Sequence, residues 1–235
     1  MEQRLNSDIF LSTFNELEKH FKNELFRGSW KSFKQMLKEG SRFNPIVKQF
    51  KEELFEFTDL RNAIVHNASN DYQVIAEPHT FVVEQFIDIK NQIINPIRMD
   101  AFFKKVYTCK LTDPVSVPLK FIHDHLISQI PVLDDKNHVI EVLNAGTIAN
   151  WLAAKQQVSI TTNLVSEVLE LKEFKHNFEI IPANTSVFHA AEIYKNSYKK
   201  IPTTRYYDAL LISSNGQANQ EIKGIIVLSD IAEYL

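Results

Sequence analysis

The sequence predicts a chain in two parts, a four-helix bundle over residues 1–95 and then an α/β region made of two copies of one strand–helix–strand–strand–helix unit. Three observations predict it. Apolar residues recur at helical spacing through the first 95 residues, they gather into short runs from about residue 97, and stretches of the second half repeat at a constant offset.

In the first helix Ile9, Phe10, Phe14, Leu17, Phe21 and Leu25 form one stripe, which Gly28-Ser29 breaks. Trp30, Phe33, Met36 and Leu37 make a short second stripe ending at Gly40-Ser41. Asn44-Pro45 then predicts a helix start, with asparagine as cap and proline at the first helical position. The third stripe is Ile46, Phe50, Leu54, Phe57, Leu60 and Ile64. A last helix over 79–94 carries Phe81, Phe86, Ile89 and Ile93, and Asn95-Pro96 closes it because the residue before proline is pushed out of the helical region. This many phenylalanines predicts a bundle core first and a dimer seam second, since a small bundle has limited interior.

Composition narrows the function classes. The 235 residues are 44% apolar and 23% charged with a net charge of −3, which is globular and neither disordered nor tail-driven. Residues 1–95 hold 12 Lys/Arg against 14 Asp/Glu, and the remainder 14 against 15. Neither half has the basic excess of a sequence-independent nucleic-acid binder, so any such contact must be local. Five glycines supply no GxGxxG, P-loop or nucleophile elbow. One cysteine, Cys109, cannot form an internal disulfide or a zinc site. A polar start and the absence of a long apolar run predict a cytoplasmic protein with no membrane span.

The repeat defines the second half. Ile148-Ala149-Asn150-Trp151-Leu152 matches Ile231-Ala232-Glu233-Tyr234-Leu235 at an offset of 83, and the strand over 139–143 matches 222–226 at the same offset. Ile130-Pro131 matches Ile201-Pro202 at an offset of 71, which places an insertion of 12 residues around 203–220. Neither copy can bury its own sheet face, so the two are expected to pack together.

With its Ile-Pro strand starts, the turn Asp134-Asp135-Lys136-Asn137 and the closing strand-to-helix corner, this half resembles a CBS-domain pair, with motifs over 98–160 and 161–235. The resemblance implies an adenine nucleotide (AMP, ADP, ATP or a related compound) as a regulatory ligand, with no cofactor required. The family's corner motif is Gly, two apolar residues, Thr or Ser, two residues, Asp. Gly224 and Asp230 match it in the second copy, and Val227 replaces the hydroxyl. In the first copy the same positions are Glu141, Asn144 and Thr147, so that copy is expected to be empty. Carried over as ligand-binding are Asp230, whose carboxylate can accept from both ribose hydroxyls, with Gly224, Ile201 and Pro202. The plainer alternative for Asp230 is a helix cap.

The third stripe ends Arg61-Asn62-Ala63-Ile64-Val65-His66. At 100° per residue Arg61, Asn62 and His66 share one arc of about 140°. Histidine can move a proton near neutral pH, and arginine can hold a phosphate as charge develops, a pairing that suits phosphodiester cleavage. With asparagine directly after the arginine and the motif at the end of a long third helix, residues 5–95 resemble the HEPN domains. That resemblance implies a metal-independent endoribonuclease acting as a homodimer on RNA. In it His66 is general acid or base, Arg61 the phosphate clamp and Asn62 the orienting residue. The alternatives are a bundle that only dimerises or binds a partner protein, and an ordinary helix end with Arg61 paired to Glu56 or Asp59.

Three further features draw the plainer reading. His123-Asp124-His125 suggests a metal cluster, but helical residues two apart diverge, so a solvated face is expected. Cys109 beside Lys110 suggests a lowered thiol pKa, and filler is the expectation. Lys195, Lys199 and Lys200 read as solvated surface, with polyphosphate contact as the other reading.

Overall fold

Phenylalanine builds the interior of the first unit. The rings of Phe10, Phe57 and Phe86 meet with centroids 4.5–6.0 Å apart, and Phe14 meets Phe33 edge-on at 4.8 Å. Aromatic pairs at such distances contribute about 0.5–1.5 kcal/mol each beyond their burial. The structure is a computed structural model that describes residues 5–28, 30–66, 76–200 and 206–235, and it divides into two units, Met1–Ile97 and Arg98–Leu235.

In the first unit α1 (Asn6–His20) runs into a wide turn over Phe21–Leu25, where the Phe26 amide reaches back five residues to the Phe21 carbonyl. Its start is tied to the far end of the unit. The Asn6 amide nitrogen donates to the Pro78 carbonyl, and the Ser7 N–H donates to Glu77. α2 (Phe33–Gly40) begins with a capping box between Ser32 and Gln35. α3 (Pro45–Gln49) is capped as expected, with Asn44 accepting from the Ile46 and Val47 amides. α4 (Lys51–His66) and α5 (Thr80–Ile94) are the last two helices among the described residues of the unit.

The expected third helix is thus two. Phe50, at φ −100° and ψ 21°, separates α3 from α4. Hydrogen bonds continue on both sides, Phe50 N–H to Ile46 and Leu54 N–H to Phe50, so the apolar phase survives the break. Periodicity reads phase, so the kink is invisible to it.

The second unit holds two sheets of one topology. β1 (Cys109–Lys110) lies parallel to β2 (Gln129–Leu133), which is antiparallel to β3 (Val139–Asn144). β4 (Phe178–Pro182), β5 (Ala209–Ser213) and β6 (Gly224–Ile226) repeat that order and those directions. The helices are α6 (Ser116–His125), α7 (Ala145–Ala154), α8 (Val165–Glu170) and α9 (Val187–Lys200), with a closing 3₁₀ segment over Leu228–Tyr234. Val139 and Val142 of β3 pack with Ala209 and Leu211 of β5, so each copy covers the other's sheet.

Register corrects the repeat. Ile130 faces Leu143 and Leu210 faces Ile226, so β2 corresponds to β5 at an offset of 80, while β3 corresponds to β6 at 83. Most of the insertion therefore precedes the strand instead of following it, and Ile201 and Pro202 lie outside the described residues. All five residues of β5 are buried, so it lacks the alternation that marks a half-exposed strand.

Candidate functional site

Two corresponding corners, one per copy, open onto cavities in the second unit. At the β6 corner Val227 precedes the 3₁₀ segment, and its N–H donates to the Asp230 carboxylate at 2.8 Å. At the β3 corner the bond runs the other way, with Asn144 accepting from the Thr147 N–H at 2.7 Å. The two corners therefore make opposite halves of one capping arrangement.

The cavity at the β6 corner measures about 340 Å³. Its walls are the lead-in to β1 (Lys104, Lys105, Val106, Tyr107), the turn before β2 (Leu126–Gln129) and the corner residues Ile225, Val227, Ser229 and Asp230. Lys104 Nζ stands 3.9 Å from Asp230 Oδ2. Lys105 Nζ lies 4.8 Å above the Tyr107 ring, which stacks on His125 with centroids 4.0 Å apart. Leu126 holds a left-handed φ of 52° and is 92% exposed. Bulky residues adopt that conformation at a cost, and such strain gathers at functional sites. Two ammonium groups, one carboxylate, two serine hydroxyls and an aromatic wall can take a ligand with a flat apolar part, hydroxyls and negative charge.

Of the residues expected at this site, the cleft contains Asp230; it stands three residues after the cap position, Val227, and accepts that residue's N–H instead of capping the segment itself. Gly224 is buried behind it. A Cβ there would come within 2.9 Å of the Phe102 carbonyl, and the neighbouring Lys223 carbonyl accepts the Lys104 N–H, so the glycine lets the lead-in lie against β6. Tyr194, fully buried, donates its hydroxyl to the Ile226 carbonyl at 2.7 Å and holds the end of β6; burial pushes its pKa up. Sequence reasoning missed Lys104, Lys105, Tyr107 and Leu126, because they fall on connections that no periodicity marks.

The cavity at the β3 corner, about 240 Å³, is lined by Asn144, Gly146, Thr147 and Asn150 with Lys172, Glu173, Phe174 and Asp208. Lys172 is buried there. Its ammonium donates to Glu141 Oε1 at 2.9 Å and the Val142 carbonyl at 2.6 Å, and it pairs with Asp208 Oδ2 at 3.0 Å.

In the first unit Arg61 and Asn62 meet, Arg61 Nη1 donating to Asn62 Oδ1 at 3.3 Å. The guanidinium carbon lies 5.7 Å from the centre of the Phe14 ring, and the buried Nε has no hydrogen-bond partner among the described residues. Both residues line a cavity of about 280 Å³ with Glu18, Ser32, Lys34 and Thr58. Asp59 takes the Lys34 ammonium instead of Arg61. His66 ends α4, and its ring lies outside the described residues.

The remaining candidates are placed as follows. His123 Nδ1 is 2.9 Å from Asp124, His125 faces Tyr107, and no group of three metal-ligating side chains occurs among the described residues. Cys109 is buried, and burial followed by the Asp113 charge pushes its thiol up to about 12, the reverse of activation. Lys195 is exposed, while the side chains of Lys199 and Lys200 lie outside the described residues. No helix among the described residues is long and apolar enough to cross a membrane.

No family model matches the chain, and no curated protein matches it. Among solved structures it is similar to a CBS domain pair in complex with 5′-methylthioadenosine and S-adenosyl-L-methionine, at 15% identity over 59% of this chain and 94% of that one, with a TM-score of 0.42. It is similar to a CBS-domain protein from Agrobacterium tumefaciens at 14% identity over 58% and 96%, with a TM-score of 0.41. It is also similar to CBSX2 in complex with AMP, at 12% identity over 58% and 94%, with a TM-score of 0.41.

Proposed function

We propose that residues 98–235 are a CBS-type regulatory pair, with motifs over 98–160 and 161–235, that binds an adenine nucleotide in the Asp230 cleft and controls the helical unit. The observation that carries this reading is the internal duplication: two sheets of identical topology whose corners face two corresponding cavities, one lined by Asp230, Lys104 and Lys105. Asp230 would take the ribose hydroxyls, Tyr107 and the aliphatic wall the base, and the lysines the phosphates. AMP and S-adenosyl-L-methionine, bound in similar structures, are the natural probes, with ATP added for the two lysines. Calorimetric titration of the full chain with each probe, beside Asp230→Asn, tests the reading. Heat with wild type and a loss of at least tenfold in affinity with the variant supports it; no heat with any probe overturns it.

For the helical unit the reading is a HEPN-type endoribonuclease acting as a homodimer, and the contact between Arg61 and Asn62 favours it. The RNA 2′-oxygen would bond to the adjacent phosphorus as the bond to the 5′-oxygen breaks, leaving a cyclic phosphate. His66 would move a proton off the first oxygen or onto the second, with Arg61 on the phosphate and Asn62 orienting it. Cellular RNA incubated in EDTA with wild type and with His66→Ala, each with and without ATP, decides between this and a bundle that only binds a partner. Discrete cuts by wild type alone support the enzyme, and identical RNA patterns from two folded dimers support the binding module.

A further inference from the structure

We infer that Lys172 closes the second cleft to anionic ligands, so that the pair takes one nucleotide per chain. The inference rests on the Asp230 cleft being the ligand site, and adds what sets the stoichiometry.

The two clefts correspond position by position. Asn144, Gly146 and Thr147 stand where Val227, Ser229 and Asp230 stand in the other copy, and by strand register Asp208 stands where Ser128 does. Their charges oppose. The Asp230 cleft has two lysines against one carboxylate. At the other corner one buried ammonium is held between two carboxylates, a net charge of −1.

Nothing in that triad is left to offer. Lys172 is 3% exposed in its side chain, and its three N–H bonds face three acceptors at 2.6–3.0 Å. Glu141, at the position of Gly224, also accepts from the Val142 and His176 amides, and Asp208 accepts from Asn144. An incoming phosphate would have to take the ammonium from the buried Glu141 carboxylate and the partly buried Asp208 carboxylate and leave them uncompensated, which is unfavourable where water is largely excluded. The protein's own cation occupies the place where a ligand's counter-charge is needed.

The test uses the wild-type full chain, so no variant has to fold. An amine-acetylating reagent is applied with and without ATP, each lysine is followed by peptide mass mapping, and ATP binding is titrated calorimetrically in parallel. The expected result is Lys172 acetylating at least tenfold more slowly than Lys104 and Lys105 in both conditions, ATP slowing only those two, and one ATP bound per chain. Two ATP per chain, Lys172 reacting as fast as Lys105, or Lys172 becoming protected only when ATP is added would each overturn the inference while leaving the Asp230 cleft a ligand site. A slow Lys172 with no heat from ATP, AMP or S-adenosyl-L-methionine supports the closed cleft and overturns the ligand reading.

Discussion

Val227 and Asp230 are joined by a hydrogen bond from the amide of the first to a carboxylate oxygen of the second, at 2.8 Å, across the corner that faces the larger cleft. One side chain therefore serves both the backbone and the site. Asp230→Ala is expected to lose on the order of 1 kcal/mol of stability, since the Val227 N–H loses its charged acceptor, whereas Asp230→Asn keeps an acceptor and the fold. Urea unfolding separates the two variants, and a nucleotide titration of the asparagine variant then reads the site free of the structural loss.

Gly224→Ala introduces a methyl group 2.9 Å from the Phe102 carbonyl and from Ile212 Cδ1. The isoleucine can turn aside; the backbone oxygen cannot do so without moving the lead-in segment. Overpacking of this kind costs about 1–3 kcal/mol, visible as a lower denaturation midpoint. Because the lead-in also carries Lys104, nucleotide affinity is expected to fall along with stability.

Cys109 keeps its proton in the folded chain until about pH 12, whereas the unfolded thiol releases it near its ordinary value. The contribution to stability is fully present below the unfolded pKa and is lost as pH rises from there toward the folded value. Denaturation midpoints of Cys109→Ser, compared with wild type, should therefore lack part of the alkaline decline above about pH 8.5. At pH 8 a thiol reagent should label the native protein only at the rate at which it opens.

Leu126 holds a left-handed backbone with its side chain in solvent, and neither burial nor a hydrogen bond requires leucine there. Leu126→Gly is expected to raise stability by about 1 kcal/mol, since glycine adopts that conformation without steric cost. A rise in melting temperature accompanied by weaker nucleotide binding would mean that the strained leucine is retained for the cleft.

How far the sequence disclosed this structure depends on what each signal encodes. Stripes such as Phe10, Phe14, Leu17 and Phe21 encode which face is buried, and those four are inside, whereas Trp30 and Phe81, read as members of their stripes, are exposed at the ends of theirs. The same signal passed over Phe50, because a one-residue kink leaves the phase intact. Ile201-Pro202 resembled the start of β2 in composition, but β5 is a run buried on both sides and was matched too early. Asp230 could be found because it ends the seven-residue corner motif, Gly224 to Asp230, on which the resemblance rests. Lys104, Tyr107 and Lys172 could not, since each matters through residues 30 to more than 100 positions away that only the packed sheets bring close.

The opening stretch of the second unit follows an unexpected route. Met99 N–H bonds to Thr185, Asp100 N–H to Ala183 and Lys104 N–H to Lys223, so the chain runs along the second copy before it enters the sheet of the first. The two copies are interlaced. Divided between α7 and α8, the unit would give one fragment carrying Lys104 and Lys105 and another carrying Asp230, each with half a cleft. Contacts this distant in sequence also slow folding, because the intervening loop must close before they contribute. A nascent chain therefore acquires this cleft only after both halves have been made, and a partly synthesised or nicked protein has no complete cleft.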